Sequence, residues 1–176
     1  MRRILFTSLL LTQTIGAFAT SLCEPGEAEV FTCRISQSAK IASLCSIVKT
    51  VKGEKRAATL LYRFGKPGSP ELQFPSSPDR SLQKFKFSHY FRPQFDSTNI
   101  SFSVNSYTYN VFDTTDGEGN QQKPERTAGV SVSSRLKKGA ELSCSPSSTK
   151  ANWFLIDGVI PCEEDEGTPN SCSYNS

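Results

Sequence analysis

The stretch ISFSVNSYTYNVF, residues 100–112, alternates apolar and polar side chains on either side of a two-residue break. In each half every second residue is apolar or aromatic. These residues are Ile100, Phe102 and Val104 before the break and Tyr107, Tyr109 and Val111 after it. Because alternate residues of a β-strand lie on the same face of a sheet, this spacing predicts two half-buried strands. Asn105 and Ser106, which separate them, predict a short hairpin turn.

The same β-type pattern recurs along most of the chain. Further strand-like segments are EVFTCRI (29–35), KIASLCSI (40–47), AATLLYRF (57–64), ELQFP (71–75), FKFSHYF (85–91), AGVSVSSRL (128–136), AELSC (140–144) and NWFLIDGVIPC (152–162). Turn-forming stretches such as GKPGSP (65–70) separate them, and the polar stretch 113–126 is predicted to be the longest loop. About nine short strands with regular turns predict an all-β fold, an antiparallel sandwich or barrel, stabilised by disulfides.

The first nineteen residues have the three parts of a secretory signal peptide. Arg2 and Arg3 form a basic start, an apolar run follows, and Ala17-Phe18-Ala19 offers a cleavage site before Thr20. The apolar run is shorter than the roughly 20 residues that a membrane-spanning helix needs. We therefore expect residues 1–19 to be removed on export, which predicts a periplasmic or secreted protein.

The remaining length suits a single domain. We predict one β domain over residues 20–162, followed by a polar, acidic tail over residues 163–176. The formal net charge of the whole chain is only +3. Nucleic-acid-binding domains carry a strongly basic patch or stripe, so we expect no nucleic-acid partner. No stretch after residue 19 is long and apolar enough to predict a membrane span.

All six cysteines follow the predicted cleavage site: Cys23, Cys33, Cys45, Cys144, Cys162 and Cys172. An even number in an exported chain predicts three disulfides, although sequence alone leaves several pairings open. If Ile35 faces Ser43 in the first hairpin, Cys33 faces Cys45 within bonding distance. We therefore favour Cys33–Cys45, with Cys144–Cys162 and, as the remainder, Cys23–Cys172. No C-x-x-C and no clustered Cys and His spacing occurs, so we expect no metal and no cofactor.

Several motifs, in this order, resemble a family of small exported bacterial proteins of the Gram-negative type that have no assigned activity. The matching stretches include GEAEVFTC (26–33), LLYRFGKPGSPELQFP (60–75) and ISFSVNSYTYNVFD (100–113), of which Y-R-F-G-x-P-G-x-x-E-L-x-F-P is the most specific. The resemblance implies an exported all-β domain and supplies no catalytic residues. A fainter similarity is to envelope lysozyme inhibitors, small exported β-barrels with disulfides, whose short Ser/Thr-Gly…Tyr motif has no match in this sequence.

The binding hypothesis rests on two features, a Pro-Gly turn and a set of residue types common at interfaces. Lys66, Pro67 and Gly68 of the turn form a stiff segment, and stiffness lowers the ordering cost of binding. The other candidates are residue types enriched in interface hot spots, namely Tyr62, Arg63, Tyr90 and Arg92. We hypothesise a non-catalytic domain that binds a protein or cell-envelope component, with enzyme inhibition as one form, by inserting residues 65–70 into the partner. Alternatively, the aromatic residues only pack the fold and the turn only reverses the chain.

Two other classes of function stay open. An envelope hydrolase would use a pair of carboxylates in a cleft, for which Asp96, Asp113 and Asp157 near strand ends are candidates, with His89 as a participant. Nothing in the sequence brings two of these carboxylates together, and no G-x-S-x-G occurs, so we expect no enzyme. A purely structural envelope protein is the third class. We expect His89, on a strand beside aromatic residues, to be a packed or surface histidine rather than a catalytic one, and Trp153 to be a core anchor.

Calcium binding by DTTDGEGN, residues 113–120, is a further alternative because the stretch offers several oxygen ligands near a glycine turn. Its spacing departs from the calcium-loop pattern D-x-[DN]-x-[DN]-G followed five residues later by Glu. Alternating acids and glycines are also typical of a solvated hairpin loop. We therefore expect no metal site here.

Overall fold

The structure, a computed structural model, describes residues 20–118, 123–134 and 139–163. The regular structure of these residues is extended, apart from three short 3-10 turns. Within the same residues no helix is long and apolar enough to cross a membrane. The predicted signal peptide, and all of the predicted tail except Glu163, lie outside the described residues.

One five-stranded antiparallel sheet, which we call the N-terminal sheet, contains the first strands of the chain. In spatial order its strands are β12 (Lys150–Ala151), β1 (Ala28–Arg34), β2 (Ile41–Ser46), β5 (Leu61–Lys66) and β6 (Ser69–Phe74). One row of inward residues crosses it, made of Phe31, Leu44, Tyr62 and Phe74. Its outer face is covered near Ser43, whose hydroxyl accepts a hydrogen bond from the Leu22 amide at 3.0 Å.

The second five-stranded antiparallel sheet, which we call the C-terminal sheet, contains the stretch ISFSVNSYTYNVF, residues 100–112. In spatial order its strands are β11 (Ala140–Ser143), β10 (Glu125–Ser134), β9 (Tyr107–Asp116), β8 (Phe95–Val104) and β7 (Lys86–Arg92). Val104 and Tyr107 are directly paired, so Asn105 and Ser106 form the predicted two-residue hairpin turn. Asn105 has φ +54°, a left-handed conformation that asparagine tolerates better than most residues.

The two sheets pack face to face through aromatic side chains. The Tyr62 ring of the N-terminal sheet lies 4.9 Å from the Phe102 ring of the C-terminal sheet, centroid to centroid. Phe74 stacks on the same Phe102 ring at 4.8 Å. Trp153 is buried in the same core and stacks on Phe31 at 5.3 Å, as the prediction of a core anchor requires. The all-β prediction is confirmed, and a sandwich fits this packing.

The described residues contain twelve strands rather than about nine. The additional ones include a hairpin outside both sheets, formed by β3 (Val48–Val51) and β4 (Glu54–Ala57). Most of its residues are exposed and half of them are charged, so they lack the apolar alternation that reveals a half-buried strand. The two-residue β12 is too short to show any period.

Two sequence predictions are wrong, one of a loop and one of strands. The stretch 113–126 is not one long loop, because β9 continues to Asp116 and pairs with Glu125 at the start of β10. The stretch 152–162 does not add regular strands. It forms a 3-10 turn over Trp153–Leu155 and further turns, since Gly158 has φ +67° and the buried residues do not alternate.

The predicted disulfide pairings are also wrong. The bonds are Cys23–Cys45 and Cys33–Cys144, with Cα atoms 5.3 and 5.7 Å apart. In the observed register Cys33 lies opposite Ala42, and a bulge interrupts the pairing between Glu29 and Phe31. Cys33 therefore belongs to the core and reaches the strand end at Cys144. Cys45 instead bonds to the segment that covers the outer face.

The remaining two cysteines are only partly covered by the structure. Cys162 is disulfide-bonded, but not to Cys144 as predicted, because Cys144 bonds to Cys33. The predicted Cys23–Cys172 bond is excluded by the Cys23–Cys45 bond, and Cys172 itself lies outside the described residues.

Candidate functional site

The predicted binding turn joins β5 to β6 and is exposed from Lys66 to Pro70. Lys66 pairs with Ser69, which leaves Pro67 and Gly68 as a two-residue loop. Gly68 has φ +74°, the conformation that a Pro-Gly type II turn requires at its second central position. Pro67 fixes its own φ, so the loop has little backbone freedom.

The base of this turn is equally constrained. Gly65 has φ +143°, and a β-carbon there would lie 2.6 Å from the backbone nitrogen of Glu71. The strand bulges between Phe64 and Gly65, and only glycine fits that geometry. The Lys40 ammonium lies 2.7 Å from the Glu71 carboxylate and 5.4 Å from the Phe64 ring centroid, which adds contacts beside the turn.

A cleft of about 300 Å³ lies between this turn and the segment that covers the outer face. Its lining includes three prolines together with apolar and polar side chains, namely Pro25, Pro67, Pro70, Leu22, Arg63 and Gln73. Proline side chains have little conformational entropy to lose, so this lining is stiff. The structure therefore brings four residues of the GKPGSP region and its flanks, Arg63, Pro67, Gly68 and Pro70, to one cleft.

Arg63 has a structural role in that cleft. Its side chain is only 5% exposed, and its guanidinium lies 2.5 Å from Glu27 Oε2 through Nη1 and 3.1 Å from Glu27 Oε1 through Nη2. Nε donates to Gln73 at 2.9 Å. The hydrogen bonds with Glu27 raise the pKa of Arg63 above its ordinary value, although burial opposes the rise. Arg63 thus anchors the covering segment, and its donors are already engaged.

The other predicted binding residues do not form a site with the turn. Tyr62 is 1% exposed and packs in the core, so it cannot contact a partner at the surface. Tyr90 and Arg92 lie on β7 of the other sheet. The Tyr90 ring is 5.8 Å from Phe95, over which the Arg92 guanidinium also lies at 4.8 Å.

A second candidate site lies on the inward face of the C-terminal sheet, which changes from apolar to polar along its strands. The apolar part contains Phe102, Ile100, Tyr109, Val111, Val130 and Val132. The polar part lies further along the strands, on the same face of the sheet. It contains His89, Asp96, Thr98, Asp113, Thr115 and Arg126. Polar residues at positions that packing would make apolar are a common mark of function.

The centre of the polar part is Asp113, whose side chain is 9% exposed. The guanidinium of Arg126 donates from Nε to Oδ1 and from Nη2 to Oδ2, both at 2.7 Å. The indole nitrogen of Trp153 donates to Oδ2 at 3.1 Å. The hydrogen bonds with Asp113 raise the pKa of Arg126, again against the effect of burial. Three N–H donors therefore satisfy this carboxylate.

His89 and Asp96 form the other charged contact of the polar part. His89 is 3% exposed, and its Nε2 lies 2.9 Å from Oδ1 of Asp96, to which it donates. The side chain of Asp96 is about half exposed. The His89 ring also lies 6.4 Å from the Phe87 ring, centroid to centroid, so of the two alternatives, packed or surface, the structure shows a packed histidine.

A cavity of about 240 Å³ opens at this end of the sandwich, and we call it the polar pocket. It is lined by Asp96, Thr98, Asp113, Thr115, Arg126, Ala151 and Trp153. Nothing in the sequence brings two of the candidate carboxylates together, whereas in the structure Asp96 and Asp113 line the same pocket. They are diagonal neighbours across β8 and β9, since Asp96 pairs with Thr115 and Asp113 pairs with Thr98.

The hydrogen bonds of Asp113 bear on the hydrolase alternative. A glycoside hydrolase needs two carboxylates that can exchange a proton or attack the substrate. Asp113 instead accepts from Arg126 and Trp153, which hold it as a structural anion. Asp157 lies in the turns that follow Trp153–Leu155 and does not line the pocket.

The described residues offer no ready metal site. Their one group of three potential ligands is Cys23, Glu27 and Cys45, and both sulfur atoms belong to a disulfide. Of the oxygen ligands that the calcium alternative needs, Asp113 faces the polar pocket and Asp116 accepts the amide of Glu118 at 2.8 Å. The last two residues of that stretch, 119 and 120, lie outside the described part of the chain.

Sequence reasoning missed Thr98, Thr115 and Arg126 as pocket residues. Two pocket residues could have been found from the sequence. Thr98 and Asp96 fall on the same alternating positions as Ile100 and Phe102, so they are expected on the inward face of the strand. His89 gives the same signal on β7. Arg126 could not be found in this way, because the stretch containing it was predicted to be a loop.

Comparison with known proteins adds no assignment: no family model, no curated protein and no solved structure matches this chain.

Proposed function

We propose that this protein is an exported, non-catalytic binding domain that acts on a protein or cell-envelope component through the turn at residues 65–70. Its location would be the periplasm or the extracellular space. The Cys23–Cys45 and Cys33–Cys144 disulfides support an oxidising compartment, where such bonds persist. The predicted signal peptide is the sequence basis for export.

The observation that carries the proposal is the constrained, exposed geometry of the β5–β6 turn. Pro67 and Gly68 form its tip, and Gly65 fixes its base. A loop already held in one conformation loses little entropy on binding, so more of its contact energy appears as affinity. The exposed Lys66 beside the tip adds a charged group that can orient a partner.

The cleft beside the turn supports the same proposal. Pro67 and Pro70 form one wall, and Pro25 of the covering segment lies on the other. A partner that surrounds the turn would also contact this stiff, partly apolar wall. Steric occlusion of a partner's site requires no reactive group, which agrees with a turn that carries none.

The decisive experiment replaces residues 66–70 by a Gly-Ser linker of equal length and keeps Gly65. A photo-crosslinking residue at Pro67 is compared with the same residue at Lys52, the exposed tip of the β3–β4 hairpin. We expect one discrete crosslinked partner from Pro67 in periplasmic and secreted extracts and none from Lys52. The linker variant should then lose affinity for that purified partner.

Unchanged affinity of the linker variant for that partner would exclude the turn as the binding element.

The inhibitor form of the proposal has its own test. A lysozyme is assayed on peptidoglycan with and without the protein, and the linker variant serves as the control. Inhibition by the intact protein alone would identify the partner class.

The polar pocket favours a second candidate, an envelope hydrolase, because it collects Asp96, Asp113 and the nearby His89. This alternative predicts turnover of envelope glycans by the purified protein, and loss of that turnover in His89→Ala or Asp113→Asn. A purely structural envelope protein would show neither turnover nor a discrete partner.

A further inference from the structure

We propose that the polar pocket binds a primary ammonium group on an alkyl chain, carried either by a free diamine or by a lysine side chain of a partner. This inference is independent of the proposed function, because the two sites lie at opposite edges of the N-terminal sheet. The pocket includes Ala151 of edge strand β12, whereas the turn precedes edge strand β6.

Among the hydrogen-bonding groups that line the pocket, Asp96 is the carboxylate with the most acceptor capacity left over. Asp113 uses the Nε and Nη2 donors of Arg126 and the indole donor of Trp153. Asp96 receives one hydrogen bond, from His89, and the described part of the chain provides it with no other. The hydroxyl of Thr115 adds a further acceptor to the lining. An ammonium group, which has three donors and no acceptor, complements such a lining.

The charges point to the same class of ligand. Arg126 and Asp113 neutralise each other through two hydrogen bonds. Asp96 then contributes a negative charge that only the neighbouring imidazole of His89 faces directly among the described residues. Because the Asp96 side chain is about half exposed, an incoming cation can reach it without displacing the core.

The size and walls of the pocket fit an alkylammonium ion better than a bare metal ion. A volume of about 240 Å³ corresponds to roughly eight water molecules at the volume each has in the liquid. Ala151 and the Trp153 side chain supply apolar surface for methylene groups. In the described residues, the carboxylates and the imidazole near the pocket do not converge as a group of three potential metal ligands.

Trp153 provides a direct readout, because it is the single tryptophan of the chain and lines the pocket. Its emission, and the NMR signal of its indole N–H, both depend on the contact with Asp113. A ligand that enters the pocket changes both signals without interference from any other tryptophan.

The test titrates the full-length exported protein with three probes: cadaverine, Nα-acetyl-lysine N-methylamide and Nα-acetyl-norleucine N-methylamide. The norleucine compound has an alkyl side chain and a blocked backbone like those of the lysine compound but lacks the charge. We expect saturable changes in Trp153 emission with cadaverine, with the lysine compound or with both, and none with the norleucine compound. A response to the lysine compound, alone or together with cadaverine, assigns a lysine side chain as a ligand that fits, and a response to cadaverine alone assigns a free amine.

Two variants locate the response. Asp96→Asn keeps the shape and removes the charge, so it should weaken amine binding by about tenfold or more, as the loss of a charge-assisted hydrogen bond predicts. Asp79→Asn, at an exposed loop position away from the pocket, should bind as the wild type does. The inference is overturned if neither amine gives a saturable change, if the norleucine compound acts equally, or if folded Asp96→Asn binds unchanged.

Discussion

The indole nitrogen of Trp153 donates a hydrogen bond to the carboxylate of Asp113 at 3.1 Å, while its ring stacks on Phe31. One side chain thus joins the inward faces of both sheets to the turn that follows β12. The carboxylate it contacts is nearly buried, and a buried anion that loses a donor is destabilising because its desolvation is no longer compensated.

Trp153→Phe tests this contact, because phenylalanine keeps the stacking on Phe31 and lacks the N–H donor. We expect the free energy of unfolding to fall by about 1–3 kcal/mol, the cost of leaving a buried acceptor short of a partner. Urea denaturation followed by circular dichroism measures the change. Phe154→Leu is the matched control, since Phe154 is 54% exposed and should stay within about 0.5 kcal/mol of the wild type.

Glu27→Gln tests the anchoring of the segment that covers the outer face. The Arg63 and Glu27 side chains are 5% and 7% exposed, so the substitution removes the buried charge partner of the guanidinium and leaves only an exposed carboxylate beside it. We expect a loss of about 3 kcal/mol or more in the free energy of unfolding. Glu24 lies 3.4 Å from the same guanidinium but is 70% exposed, so Glu24→Gln should cost about 1 kcal/mol at most. Equal losses in the two variants would contradict the assignment.

The fold class could be predicted from the sequence because a half-buried strand must alternate. The hairpin around Asn105 and Ser106 follows from two such strands and a two-residue break. The exposed β3–β4 hairpin could not be predicted in the same way, since neither of its faces is consistently apolar. The paired ends of β9 and β10 could not be predicted for the same reason, because their residues are polar and show no apolar alternation.

The candidate site was less predictable because it depends on register and on contacts between distant strands. The predicted register, with Cys33 opposite Cys45, is wrong. An error in strand register changes the face on which each cysteine lies and the residue that it pairs with. Tyr62 and Arg63 are residue types enriched in interface hot spots, yet one packs in the core and the other is buried against Glu27. Arg126 and Trp153 meet Asp113 only after the sheets are assembled.

The two observed disulfides should differ in their contribution to stability. Cys33–Cys144 closes a sequence separation of 111 residues, and Cys23–Cys45 closes one of 22. In the chain-entropy description, the longer loop restricts the unfolded chain more, by about 1.4 kcal/mol. We therefore expect the double variant Cys33→Ala with Cys144→Ala to be less stable than Cys23→Ala with Cys45→Ala by about that amount. Chemical denaturation of both variants measures the difference, and the reverse order would contradict the expectation.

Tyr62 should make the stability fall at alkaline pH. Burial, and to a smaller extent Tyr109, raise the pKa of its hydroxyl above the ordinary value of 10.0. Above pH 10 the unfolded chain releases this proton while the folded protein retains it, so the contribution is complete below pH 10 and is lost as the pH rises. The free energy of unfolding should fall from about pH 10 upward, with a slope from this group approaching about 1.4 kcal/mol per pH unit. Tyr62→Phe removes the ionisable group and should flatten the profile, whereas parallel profiles for the two proteins would show that Tyr62 does not cause the loss.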